Sequence, residues 1–589
     1  MFRGLLRKFL FWRVKNVSDK VFIMFLAVLV GIFAGLAAVI IKNSVHLIQA
    51  GVKGWFSEQA ENYLFFLYPI VGISLTVIVA RYLIRQRVGH GIPTVLYAIS
   101  RDNGRIKTHN TFSSIITSAL TVGFGGSVGL EGPTVATGAA IGSNLGRLFH
   151  LNYKQIMLLL GCACTGAMAA IFKAPIAAIV FAIEVIMLDL TMASLVPLLI
   201  SSVTAALTSY LFFGQNFIYF VEKTDIFKIA DVPYYILLGI AAGLISVYFT
   251  KTYLFIGKKF EKITSCWKKL IIGGGLLGVI IFLFPSLYGE GYEVINACLH
   301  GDSSHLYNST IYFNYQNNTI VFILAFSMVI LFKVVATSLT FGAGGIGGIF
   351  APALFLGANL GLFFQKVASL IGINISATNF ALVGMAGTIA GIIHAPLTAI
   401  FLIAELTGGY GLILPLMIVS TISFATVKIF TPNSVYTMQL AKRGELMTHH
   451  KDKAMLSMLK LDRLVEKNFL TVKEDYTLGQ LVEVIQKSTR NIYPVVDDDN
   501  NLKGIVILDH VRHIMFNKDM YDDNYVRNLM FTPSPIVDVS DTMEEVAEKF
   551  QQSGNYNMPV TDNGKYVGFI SRARIFSNYR RILKHFSED

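Results

Sequence analysis

Three short glycine-rich segments could do chemistry in this 589-residue chain: GHGIP at 89–93, GLEGP at 129–133 and GIFAP at 348–352. Each runs into an apolar stretch, with proline where a first helical turn tolerates a missing N–H. The other N–H groups of a helix start have no partner inside the helix, and the macrodipole adds about half a positive charge there. Several such ends aimed at one point hold a small anion without lysine or arginine. An ion must also leave, so weak dipolar ligands suit passage better than a full positive charge. Close packing is the plainer use of glycine at any one loop, but three loops that each open an apolar segment favour the anion reading. Glu131 is the only carboxylate inside them. A carboxylate at an anion-binding helix end is itself an anion and can occupy the site. Protonation would remove its charge and free the site, which makes Glu131 a gate.

The surrounding composition says what must position these loops. Hydrophobic residues make up 54% and charged residues 15% of the chain, and the mean hydropathy is +0.58. Soluble domains carry roughly 25% charged residues, so most of this chain belongs in lipid. Val21–Ile41 is an uncharged apolar run of about the 20 residues that span hydrocarbon. It is preceded by Arg3, Arg7, Lys8, Arg13, Lys15 and Lys20 against the single acid Asp19, so the N-terminus is expected in the cytoplasm. The net charge of +12 therefore reads as topology and contact with anionic lipid, not as nucleic-acid binding.

Further apolar segments follow from 64 to 430, and several are short or broken by glycine and proline. Helices that stop halfway are tolerated in a membrane where they line a polar cavity. An internal repeat supports this layout. TGAMAAIFKAPIAAIVFAIEV (165–185) resembles AGTIAGIIHAPLTAIFLIAEL (386–406), with Gly166, Pro175 and Glu184 matching Gly387, Pro396 and Glu405. IGSNLGRLF (141–149) echoes LGANLGLFF (356–364). An odd number of crossings per half would make the repeat inverted. More than half of the acidic residues lie beyond Glu445, and there the pattern becomes that of a soluble α/β region with two similar copies. Tyr493-Pro494-Val495 matches Met558-Pro559-Val560, and Gly504 matches Gly568. The expected divisions are a basic N-terminus (1–20), a transmembrane domain (21–446), a linker (447–460) and two soluble units (461–520 and 521–589).

The four cysteines, Cys162, Cys164, Cys266 and Cys298, form neither a zinc spacing nor a disulfide framework. Cys162 and Cys164 are expected as small residues at a helix contact. An intramembrane protease would need a nucleophile paired with a base. His394 and Lys173 precede the two Ala-Pro pairs, but no such constellation accompanies them, and the chain is not expected to be an enzyme.

GLEGP, GIFAP, APIAAIVFAIEV and the distal SVYTMQLAKRG (434–444) resemble the CLC family of chloride channels and chloride/proton exchangers. The tail resembles the paired CBS domains that many of its members carry. The resemblance implies an all-α polytopic membrane domain with broken helices, followed by an α/β tandem CBS region. It implies a homodimer in the plasma (inner) membrane with both termini cytoplasmic and one pore per subunit. Chloride or a similar small anion would be the substrate, with no metal or other cofactor, and protons and a CBS-bound nucleotide stay open. The implied anion ligands are the amides of Ile349 and Phe350, the hydroxyl of Tyr436, and His90, Gly91 and Ile92 of the first loop. Glu131 would be the gate.

Four departures qualify this. His90 replaces a serine, and an imidazole there is expected to make transport sensitive to cytosolic pH. Leu130 replaces the usual Arg or Lys before the gate. Val185 stands where proton exchangers carry a second glutamate, which leaves open channel-like or weakly proton-coupled transport and, as the alternative, strict antiport. The CBS copies have Ile507 and His510 in the first, and Ser571 but Arg574 in the second, where nucleotide-binding copies pair a hydroxyl with Asp.

Overall fold

The apolar runs fold as helices whose ends fall on the glycine and proline signals. A computed structural model describes residues 2–54, 61–86, 88–89, 91–102, 104–186, 192–214, 225–306, 319–438 and 459–587. The chain divides into two compact units, Met1–Leu446 and Met447–Asp589.

The first unit is helical. Its first half holds α1 (Phe2–Asn16), α2 (Asp19–Gly54), α3 (Glu61–Ile78), α4 (Ile92–Arg101), α5 (Asn110–Gly123), α6 (Glu131–Leu148), α7 (Tyr153–Phe172), α8 (Pro175–Glu184) and α9 (Met192–Phe213). Its second half holds α10 (Val232–Glu261), α11 (Cys266–Leu283), α12 (Tyr292–Leu299), α13 (Thr319–Ala343), α14 (Phe350–Leu370), α15 (Ala377–Ile393), α16 (Pro396–Leu406) and α17 (Ile413–Phe430). Among the described residues, nine helices are long and apolar enough to cross a bilayer. By contrast, α8 and α16 have 10 and 11 residues and reach only about 15 Å, half the hydrocarbon thickness.

The backbone repeats as well as the sequence. Leu130 and Ile349 are N-caps with φ −94°, ψ −11° and φ −96°, ψ −1°. The left-handed glycines Gly125 and Gly344 precede them at φ 92° and 105°. Lys173 and His394 end α7 and α15 in the left-handed region at φ 57° and 63°. So α2–α9 recur in order as α10–α17. Equivalent parts also face each other head to tail. Gly129 and Gly348 form a reciprocal antiparallel bridge, N–H to carbonyl at 2.8 and 2.7 Å, and the ends of α8 and α16 contact each other's starts. Equivalent elements that run antiparallel and exchange the same contacts are related by a two-fold axis perpendicular to them, so the repeat is inverted.

The structure corrects one register. A Cβ on Gly138 or Gly142 would come within 2.6 Å of the carbonyls of Ala163 and Leu159, and one on Gly357 or Gly361 within 2.3 and 2.0 Å of those of Gly384 and Phe380. Gly142 therefore corresponds to Gly361, not Gly357, and the echo of 141–149 in 356–364 is one helical turn out. Both helices carry small residues every fourth position, which is the spacing that lets helix backbones touch. The sequence looks equally good in either register.

Cys162 and Cys164 are buried in α7, where the Ser201 hydroxyl of α9 donates to the Cys162 carbonyl at 2.7 Å. His394 packs edge-on to Phe424, and Lys173 Nζ donates to the Gly214 carbonyl at 2.8 Å.

The second unit has two similar halves. Strands β1 (Ile492–Val496) and β2 (Leu502–Ile507) pair antiparallel. β3 (Val537–Asp538) joins β4 (Asn557–Asp562) in parallel, and β4 pairs antiparallel with β5 (Lys565–Ser571). A capped helix precedes the hairpin in each half. Thr477 with Gln480 and Thr542 with Glu545 form matching capping boxes, which satisfy helix-start amides reciprocally.

Candidate functional site

Three helix starts converge where the glycine loops meet. Gly91 caps α4 at φ 70°, ψ −124°, a backbone that glycine takes and other residues avoid. A Cβ there would sit 2.8 Å from the Gly132 carbonyl carbon. Gly132, in the first turn of α6, in turn faces Gly348. A Cβ on Gly348 would come within 2.8 Å of the Gly132 nitrogen. The starts of α4, α6 and α14 are thus within backbone contact of one another because no side chain separates them. Pro93, Pro133 and Pro352 sit in the three first turns, so the remaining first-turn amides are the donors left over.

Ile92, Ile349 and Phe350 are buried at this junction, with the Phe350 ring 5.2 Å from that of Phe172. Tyr436 is buried too, within electrostatic reach of Glu131. Its hydroxyl has no hydrogen-bond partner among the described residues. A buried hydroxyl without a partner costs about 1–3 kcal/mol, and an anion at the junction would accept its hydrogen bond. His90 lies outside the described residues.

Glu131 is the first residue of α6 and is fully buried. Its side chain turns back toward α14. Oε2 lies where a Cβ on Gly129 would be 2.1 Å away and one on Gly348 3.4 Å away, and the Ala351 amide faces the carboxylate. Oε1 accepts the Tyr292 hydroxyl at 2.9 Å, while Oε2 has no hydrogen-bond partner among the described residues. A carboxylate therefore already occupies the amide-lined start of α14.

Glu184 and Glu405 are more than markers of the repeat. Glu184 ends α8 and caps α16, accepting from the Leu397 amide at 3.0 Å and from the Thr398 amide and hydroxyl at 2.7 Å each. Glu405, in the last turn of α16, caps α8 through the Ile176 and Ala177 amides at 3.0 and 2.8 Å. Each carboxylate answers the positive end of the other half-length helix. Val185 follows Glu184 and is buried, so the position offers no ionisable group.

Lys333, Lys42, Glu290 and Tyr292 had not been singled out from the sequence. Lys333 is fully buried in α13, donates to Ser127 Oγ at 2.9 Å and the Gly289 carbonyl at 3.2 Å, and lies 4.6 Å over the Phe355 ring. Lys42 of α2 donates to the Ile171 carbonyl at 2.8 Å and is within electrostatic reach of Glu131 and Glu290. Lys42 thus brings positive charge within reach of Glu131 and Lys333 within reach of Glu290, both from other helices, where Leu130 supplies none. A lone cation in an apolar span was a legible signal. Glu290 lies in the loop before α12 and Tyr292 is the first residue of that helix, and the sequence there carries no such mark.

In the second unit, the Ser571 hydroxyl donates to Glu466 at 3.1 Å. Arg490 binds the same carboxylate at 2.7 Å and Arg574 approaches it at 3.8 Å. The hydroxyl that a nucleotide would need is committed within the chain.

The profile of the voltage gated chloride channel family matches residues 70–428, and that of the CBS domain matches 461–517 and 526–581. A relative described as a ClcB-like chloride channel protein, from Ralstonia nicotianae, is 30% identical over 393 residues, covering 64% of this chain and 86% of its own. The H(+)/Cl(-) exchange transporter ClcA of Vibrio cholerae is 29% identical over 439 residues, covering 71% and 89%. The crystal structure of a eukaryotic CLC transporter aligns with TM-score 0.62 at 17% identity, covering 95% of this chain and 99% of that one.

Proposed function

Starting from a chain that belongs to the voltage-gated chloride channel (CLC) family and is an anion transporter of that type, we propose that it moves chloride through a pore gated by protonation of Glu131. The observation that carries this is the Glu131 carboxylate lying at the start of α14, where the three glycine loops meet. Chloride would bind the Ile349 and Phe350 amides with the Tyr436 hydroxyl closing the other side, and Gly91 and Ile92 completing the junction. Charged Glu131 competes with chloride for the amides. Once neutral, it loses that attraction, its side chain swings away, and the ion takes its place. Glu131 carries the proton in the same movement. The basic residues before α2 support a cytoplasmic N-terminus, and the family resemblance supports a cytoplasmic C-terminus and a homodimer with one pore in each chain.

Coupling to protons is weak in this reading. Val185 cannot relay a proton, and Glu184 is held as a cap by three hydrogen bonds. The name of the Vibrio relative favours a second reading, strict chloride/proton exchange. Reversal potential in a reconstituted bilayer under a pH gradient separates the two. A shift well below that of a fixed exchange ratio supports weak coupling, the full shift supports strict exchange, and absence of anion current refutes both.

A further inference from the structure

The segment Leu287–Tyr292 is fastened to the gate loop by contacts that the three-helix site does not require. The Ser127 hydroxyl donates to the Leu287 carbonyl at 2.8 Å, and the Gly289 amide donates to the Gly125 carbonyl at 3.1 Å. Lys333 joins the two strands of this contact by donating to both Ser127 Oγ and the Gly289 carbonyl. Left-handed Gly289 and Gly291, at φ 63° and 85°, turn the chain back on itself. A Cβ on Gly291 would lie 2.5 Å from the Phe355 ring, so the turn is wedged against α14 as well. At its end Tyr292, half-buried, donates its hydroxyl to Glu131 Oε1 at 2.9 Å.

We propose that Tyr292 is a positioning residue for the gate, a latch whose hydroxyl holds the Glu131 carboxylate at the start of α14 and which the Lys333-braced turn holds in place. This rests on the reading of Glu131 as the gate. A hydroxyl donated to a carboxylate favours its charged form. The latch therefore opposes protonation and sets the proton concentration at which the gate lets go. A protonated carboxyl binds the hydroxyl more weakly, so each release of the gate also opens the latch. The other ionisable groups facing Glu131 come from different elements: Lys42 from α2, Glu290 from the same turn as Tyr292, and Tyr436 from the segment after α17. A change confined to the Tyr292 hydroxyl leaves all of them in place.

The experiment is chloride efflux from proteoliposomes holding the full chain, measured against the pH on the Glu131 side. Wild type, Tyr292→Phe, Glu131→Gln and the double variant are compared. Loss of one charge-assisted hydrogen bond moves the midpoint of Tyr292→Phe by about one pH unit toward alkaline. On the Glu131→Gln background, Tyr292→Phe changes nothing. A wild-type or more acidic midpoint for Tyr292→Phe, with Glu131→Gln flattening the profile as expected, overturns the latch and leaves the gate standing. An equal Tyr292→Phe shift on the Gln background also overturns the latch. If Glu131→Gln keeps the wild-type profile, the gate itself falls and the latch falls with it.

Discussion

Replacing Glu405 by alanine strips the cap from α8, and replacing Glu184 strips it from α16. The contacts differ in number, and the cost should follow. Glu405 satisfies two amides at the start of a helix too short to hold itself in the membrane. Glu184 satisfies two amides and the Thr398 hydroxyl. Losing a helix cap typically costs about 1 kcal/mol, and a charge at a partly buried helix end adds up to about 2. That gives about 2 kcal/mol for Glu405→Ala and about 3 kcal/mol for Glu184→Ala. The glutamine variants should fall between, since one oxygen remains to accept. Both carboxylates brace the same pair of helices, so the double variant should cost about 1 kcal/mol less than the sum. Reversible unfolding in mixed micelles, followed by circular dichroism, measures all of these. If both alanine variants lie within about 0.5 kcal/mol of wild type, lipid or water replaces the carboxylates and the reciprocal-cap reasoning is wrong.

Gly348→Ala places a Cβ 2.8 Å from the Gly132 backbone nitrogen and should abolish chloride binding by calorimetry even where the protein still folds; unchanged binding would separate the site from this junction. Tyr436→Phe removes only the hydroxyl that lacks a partner among the described residues and should weaken chloride binding by about tenfold, the worth of one hydrogen bond to a charge, while unaltered affinity would make Tyr436 an interface aromatic. Because Glu466 occupies Ser571, the full chain should show no micromolar ATP binding, and calorimetric binding in that range would refute the closed-site reading.

The three glycine loops and Glu131 were legible because glycine, proline and a lone carboxylate in apolar sequence are local signals with backbone causes. The repeat through Pro175 and Pro396 was legible for the same reason. The match between the GLEGP and GIFAP loops was not, because the equivalent of Glu131 is Phe350 and the side chains share nothing. The register of 141–149 failed because glycines one turn apart are interchangeable on paper. They are distinguished only by which carbonyl each one meets. Tyr292 reaches Glu131 across 161 residues, a contact that spacing cannot announce. Lys333 was readable as a cation within an apolar span, but its partners Ser127 and Gly289 come from two other segments.

The proposed anion site lies in one place, where the starts of α4, α6 and α14 meet. Crystals of the full chain grown in bromide, measured at the bromine edge, test it directly. An anomalous peak is expected about 3.3 Å from the Ile349 and Phe350 amides and the Tyr436 hydroxyl, a hydrogen-bonding distance lengthened for a large anion. A second peak should appear in Glu131→Gln where the carboxylate lay. Bromide peaks confined to surface lysines and arginines, with none at this junction, would contradict it.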